Sequence, residues 1–283
     1  MALYSDVLLT VDYDRTLTGP DAVIPRRNLD AIHYFMENGG TFTVNTGRSL
    51  PMTGCFLNVV PVNAPLLLYT GSAWYDTAAG QLQNCHLIDL DPVQVIYELQ
   101  SRFPELTLEI QGLDHHYIFR KDAVWEDYII QTGGSWAYAT PDQTGPFLKF
   151  AIYGTFVSTR HGDMYEITPH EEELFAEAID YINARWGDKV ELFRACPRIL
   201  DIHAKGVSKL RTARELQEKL GKKILICVGD AENDLSMLEG ADYAFCPSDG
   251  MVADRFPNVC PCGEGAIADV IYEKIPALLK NRA

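Results

Sequence analysis

Two aspartates, Asp12 and Asp14, stand one residue apart in the stretch VLLTVDYDRTLTG at residues 7–19. Carboxylates this close repel each other. A cation would relieve that repulsion, and so would a reaction that needs both groups. A third aspartate, Asp230, ends the run KILICVGD and is followed by Asn233 and Asp234. Thr46, Gly47 and Arg48 close the run TFTVNTGR, and Lys209 lies just beyond RILDIH. Acids, a hydroxyl and a cation at the ends of apolar runs point to a small anionic ligand handled with a cation's help.

Such groups converge only if the runs are strands of one sheet. VLLTV, APLLLY and KILICV are short, dominantly apolar runs, the pattern of strands covered on both faces, and TFTV reads as a second strand. Between the first two, Leu29, Ile32, Phe35 and Met36 repeat at helical spacing from about Pro25 to Asn38, with Gly39-Gly40 as the stop. Strand, helix, strand predicts a doubly wound α/β core with a parallel sheet, which binds ligands at the carboxyl ends of its strands. The middle of the chain reads differently. Helices are expected near 91–103, 123–131 and 170–186, among short strands LTLEIQ, HYIFR, FLKFAIY and KVELFR. That alternation predicts an α+β unit with an antiparallel sheet. The expected division is a core of residues 1–86 and 196–283 with an inserted domain at 87–195; RILDIH, and the helix through Val207, Leu210, Ala213, Leu216 and Leu220, fall to the core.

The chain of 283 residues is 47% hydrophobic and 22% charged, enough apolar content for a sizeable core. Its net charge of −15 argues against nucleic acid and anionic membrane surfaces as partners. A small anionic metabolite stays open, because local groups can outweigh the global field at one cleft. The seven cysteines are odd in number and scattered, a poor disulfide framework that fits the cytoplasm. No signal peptide or membrane span is expected. A monomer or small homo-oligomer is compatible with these features.

Competing motifs fail on spacing. A calcium loop counted from Asp12 needs Gly at its sixth position and Glu at its twelfth, where Leu17 and Val23 stand; counted from Asp230 it meets Leu235 and Ala241. No G-x-x-x-x-G-K-[ST] phosphate loop occurs, and GEGAIA from Gly263 follows a Pro/Cys segment, not a strand.

VDYDRTLT, NTGR, GVSK and GDAENDLSML resemble, in that order, the four motifs of the haloacid dehalogenase (HAD) superfamily. The insert resembles the C2 cap of its Cof-type, subclass IIB, sugar-phosphate phosphatases. The resemblance implies a Rossmann-like core with a cap, and a Mg²⁺-dependent phosphohydrolase acting on small phosphorylated metabolites, sugar phosphates above all, through an aspartyl-phosphate. It makes Asp12 the nucleophile and Asp14 the acid/base, whose backbone carbonyl also serves the metal. Thr46, Gly47 and Arg48 become phosphate-binding residues, Lys209 the charge partner, Asp230 a metal ligand, and Asn233 and Asp234 supports of phosphate and metal. A phosphomutase on the same fold, or a protein that binds a phosphometabolite without turning it over, stays open beside this reading.

Simpler readings accompany each residue. Paired aspartates after a strand also form solvated turns, Thr46 also suits a cap, Lys205 competes with Lys209, and Asp234 suits a helix N-terminus. The chain departs from the resemblance at Arg15, where Gly is usual, and at Thr70-Gly71, where Asn-Gly is usual. Arg15 either crowds its turn or supplies another cation to the substrate. In the insert, His115, His116, Arg120, Trp136 and Tyr138 are candidates for sugar contact as well as for ordinary packing.

Overall fold

The computed structural model describes residues 2–140, 147–154 and 166–280. In chain order its strands are β1 (Val7–Val11), β2 (Thr41–Val44), β3 (Leu66–Leu68), β4 (Ala73–Asp76), β5 (Gln81–Gln83), β6 (Thr107–Gln111), β7 (His116–Ile118), β8 (Trp136–Tyr138), β9 (Lys149–Tyr153), β10 (Val190–Cys196), β11 (Ile199–Ala204), β12 (Ile224–Val228), β13 (Tyr243–Pro247) and β14 (Asn258–Val259). The principal helices are α1 (Arg26–Glu37), α2 (Pro92–Arg102), α3 (Ala123–Gln131), α4 (Pro169–Trp186), α5 (Lys209–Lys219) and α6 (Leu235–Gly240), with a last helical run over 266–280. The chain divides into two compact units. One holds Met1–Thr46, Asn58–Gln83 and Ser208–Ala283; the other holds Gly47–Leu57 and Asn84–Val207.

The first unit is built on a five-stranded parallel sheet in the order β14-β13-β12-β1-β2. Every residue of β1, β2 and β12 is buried, the threonines Thr10, Thr41 and Thr43 among them. Leu8, Leu225 and Cys227 pack with Ala213 and Leu216 of α5 and Met237 and Leu238 of α6. Each large apolar side chain buried this way contributes ~1.5–3 kcal/mol. The edge continues through a parallel bridge from Asn45 to Leu67 into the small antiparallel sheet β3-β4-β5. Asp12 therefore leaves the centre of the sheet, Thr46 its β2 side and Asp230 the end of β12.

The second unit is a six-stranded mixed sheet, β10-β11-β9-β6-β7-β8, with only β7 and β8 parallel. Leu108, Ile110, Phe150, Ile152, Leu200 and Ile202 form one apolar face against α2 and α4. Residues of the opposite parity, among them Glu109, Lys149, Asp201 and His203, are also buried, and the Lys149 ammonium meets the Asp201 carboxylate at 2.7 Å. The three expected helices are present and capped by their own sequence. Asp91, Asp122 and Thr168 each accept hydrogen bonds from the first turn, Thr168 in a reciprocal pair with Glu171.

One element differs from expectation. RILDIH supplies β11, which pairs antiparallel with both β9 and β10 and so belongs to the mixed sheet. Its side chains alternate, Leu200 and Ile202 against Asp201 and His203, and alternation marks an antiparallel strand better than a parallel one.

Candidate active site

Asp12 follows β1 directly, and its backbone N–H donates to Val228 O at 2.9 Å, carrying the ladder one step beyond the strand. The chain then turns sharply over Tyr13–Leu17, with Arg15 at φ 57°. That angle explains the Gly usual at this position: a left-handed residue costs little only without a Cβ. Thr16, inside the turn, donates its hydroxyl to Asp230 Oδ1 at 2.8 Å and is fully buried. The two halves of the chain are thereby joined at the site. Sequence reasoning assigned Thr16 no role, although its place two residues past Asp14 was the available signal.

Asp234 stands in the turn before α6, and its Oδ2 accepts from the backbone N–H groups of Asp230 and Ala231 at 3.0 and 3.1 Å. Gly229 makes room for it: a Cβ there would lie 2.5 Å from Asp234 Cγ. Lys209 opens α5, whose N-cap Ser208 accepts from Arg211 N–H, and Asn45 Nδ2 donates to Lys209 O at 2.9 Å. The Lys209 ammonium donates to Asp12 Oδ1 at 2.5 Å and to Asp234 Oδ1 at 2.6 Å. Lys209 is completely buried, whereas Lys205 is half-exposed and pairs with Glu191 in the second unit.

Asp12, Asp230 and Asp234 offer carboxylate oxygens within 4.8 Å of one another. Burial pushes the Asp12 carboxyl up to about 7; Lys209 opposes that rise, while Asp234 and Asp14 add to it. Burial also holds Asp230 well above the usual carboxylate range, reinforced by Asp234 and Asp12. Burial alone would lower Lys209, but Asp12 and Asp234 outweigh it and the ammonium is held above its ordinary value. Three buried acids around one ammonium leave an excess of negative charge. At ~4 Å and an effective dielectric near 20, each like-charge pair costs ~4 kcal/mol. A divalent cation would offset a repulsion of that size. Among the described residues no protein donor reaches Asp12 Oδ2 or Asp230 Oδ2, whereas both oxygens of Asp234 are engaged. The donor set is oxygen only, which suits Mg²⁺.

The remaining sequence candidates divide. Asp14 is half-buried beside Asp12, outside the three-carboxylate group. Thr46 is buried at the end of β2, its N–H donating to Leu67 O at 2.9 Å. Asn233 is half-buried in the turn that carries Asp234. Gly47 and Arg48 group with the second unit, where Arg48 donates to Met52 O and Thr132 O. The sugar-contact candidates have structural partners there. His116 Nε2 lies 2.7 Å from Ser49 Oγ, and Arg120 donates to Pro104 O and to Thr107 Oγ1. His115 meets Ser135 Oγ at 2.8 Å, Tyr138 donates to Glu126, and Trp136 packs edge-on against Tyr138.

Residues 9–251 match a family model described as haloacid dehalogenase-like hydrolase. The 5-amino-6-(5-phospho-D-ribitylamino)uracil phosphatase YitU of Bacillus subtilis is 21% identical over 250 residues, 87% of this chain and 88% of that protein. In fold the chain is similar to a haloacid dehalogenase-like hydrolase from Bacteroides thetaiotaomicron, with a TM-score of 0.78 at 19% identity over 95% of this chain and 98% of the other. It is also similar to a HAD subclass IIB sugar phosphatase, with a TM-score of 0.73 at 16% identity over 93% of this chain and 97% of the other. Among the described residues, no helix is long and apolar enough to cross a membrane.

Proposed function

The chain belongs to the haloacid dehalogenase-like hydrolases, and from that premise we propose that it hydrolyses phosphate monoesters of small metabolites, sugar phosphates among them, through a phosphoryl group carried on Asp12. The observation that supports this most is the grouping of Asp12, Asp230 and Asp234 about a buried lysine. A protein that only binds phosphate has no need of so many acids beside an anion.

In this reading Asp12 Oδ2 attacks phosphorus, and the bond from phosphorus to the ester oxygen breaks. Asp14, two residues on, protonates the departing alkoxide, then takes a proton from the water that attacks the phosphoryl-aspartate. That second step releases inorganic phosphate and restores the Asp12 carboxylate. Lys209 holds Asp12 by its other oxygen and fixes its aim. Thr46, with Asn233 in support, positions the phosphoryl oxygens. Asp12, Asp230 and the Asp14 carbonyl would hold Mg²⁺, with Asp234 orienting the Asp230 loop; the ion supplies positive charge against the phosphoryl group.

Phosphate release from an aryl phosphate is expected to require Mg²⁺ and to stop with a chelator. Full activity in metal-free protein would overturn the metal assignment. A second measurement reads the site without turnover. Asp12 and Asp230 bind protons more tightly folded than unfolded, so their ionisation costs the metal-free protein stability as pH rises above about 4, for Asp12 through about 7. Mg²⁺ pairs with the ionised form. Its addition should raise Tm by at least ~4 °C at pH 8 and by under ~1 °C at pH 5. A shift that is the same at both pH values would place the ion elsewhere.

A further inference from the structure

The turn after β3 carries two unfavourable features at one residue. Tyr69, Thr70 and Gly71 have φ of 52°, 57° and 99°, three left-handed residues in succession. Gly71 has its reason: a Cβ there would stand 2.5 Å from Ser208 O at the start of α5. Thr70 has none of its own. A β-branched residue in this region is a conformational outlier. Its Oγ1 is also buried and has no hydrogen-bond partner among the described residues. Strain and an orphaned hydroxyl together mark a position kept for something other than stability.

Its placement says what that is. Thr70 N–H donates to Thr46 O at 3.0 Å, while Thr46 N–H donates to Leu67 O, so the Thr70 backbone lies directly beside that of Thr46. On its other side Gly71 abuts Ser208, the residue before Lys209. Thr70 is thus flanked by the residue assigned to the phosphoryl oxygens and by the helix start that delivers the site's cation. It is buried to the same degree as Lys209 and nearly the same as Thr46. A buried hydroxyl with no acceptor among the described residues can be satisfied by an anionic oxygen.

We infer that Thr70 is a substrate-binding residue, its hydroxyl donating to an oxygen of the phosphoryl group beside Thr46. The inference rests on the phosphohydrolase reading for its substrate, but phosphate binding alone tests it.

The experiment compares Thr70→Val, which keeps the shape and removes the hydroxyl, with Thr70→Ser, which keeps the hydroxyl. Three quantities are read: Kd for inorganic phosphate in Mg²⁺ by calorimetry, kcat/KM on an aryl phosphate, and Tm. Thr70→Val should weaken phosphate binding and lower kcat/KM by ~10–100-fold, the size of one hydrogen bond to a charged group. Its Tm should be unchanged or higher, because an unsatisfied buried hydroxyl is gone. Thr70→Ser should stay within ~3-fold of the parent on both functional readouts, since the bond is kept. Unchanged phosphate affinity in Thr70→Val overturns the inference, as does a parent protein that binds no phosphate. A fall in Tm shared by both variants would make Thr70 a structural residue and overturn it too. Phosphate binding that weakens in Thr70→Val while the parent hydrolyses nothing would uphold Thr70 and refute the hydrolase reading, so the two fail separately.

Discussion

Asp12→Asn is expected to lower kcat on an aryl phosphate by at least ~10³, with no loss of folded protein. The amide keeps the shape of the carboxylate and can still meet the Lys209 ammonium through its carbonyl oxygen. It cannot carry a phosphoryl group. Stability should move the other way from activity. The Asp12 carboxyl is pushed up to about 7 chiefly by burial, so near pH 8 the ionised form opposes folding of the metal-free protein. A neutral amide avoids that cost, and the Tm of chelated Asp12→Asn at pH 8 should equal or exceed that of the parent. Its Mg²⁺-induced shift should shrink, because one of the two open carboxylate oxygens is missing. Asp14→Asn should differ: its loss should grow as the leaving group becomes a poorer one, since only poor leaving groups need an acid. Retained turnover in Asp12→Asn, or the same modest loss in both variants with every leaving group, would refute these separate roles.

The parallel core was legible because its strands announce themselves twice. ILICV is apolar without interruption and VLLTV is broken only by Thr10, and each runs to an aspartate that has no place in a core unless it is used. Helix starts near 91, 123 and 170 were legible to within a residue, and the capping side chains Asp91, Asp122 and Thr168 are local to the helices they serve. The Asp12–Lys209 pairing spans 197 residues and follows only from the sheet order, which the βαβ pattern constrains without stating.

What the sequence did not disclose depends on long-range choices or on backbone angles. Nothing local in 47–57 says that this segment groups with the second unit. Yet Ser49 is buried against His116, and Gly47 O accepts from Lys149 at 3.1 Å. Ile199–Ala204 was placed by its position after the insert, not by its alternating pattern, and the alternation proved the better guide. Arg15 and Thr70 were visible as departures from a resemblance, but the departure became physical only with their φ values. A residue type that a backbone angle disfavours cannot be recognised until the angle is known.

Lys209→Met should produce a large stability change. Lys209 is completely buried and its ammonium bonds both Asp12 and Asp234. Methionine fills much the same volume, so the loss is electrostatic and not a cavity. Three clustered carboxylates would then lack their ammonium partner, and breaking a buried ion pair from one side costs ~3–5 kcal/mol. In a chain of this size that corresponds to a Tm fall of about 5–8 °C at pH 8 in chelator. The sign of the pH dependence follows from the same charges. Without Lys209 the Asp12 and Asp230 carboxyls are raised further, bind protons more tightly when folded, and are neutralised on acidification. The deficit relative to the parent should therefore narrow as pH falls from 8 to 5. Mg²⁺ should restore part of the lost Tm at pH 8, because it supplies positive charge to the same oxygens. It should not restore turnover, since Asp12 has lost the group that holds its Oδ1. Lys209→Arg should not rescue either, as a planar guanidinium does not fit a closed site shaped to a single ammonium. Melting curves of the two variants and the parent at both pH values, with and without Mg²⁺, decide the matter. A Tm deficit that stays constant with pH would mean that Lys209 serves packing and does not balance the charge of the aspartates.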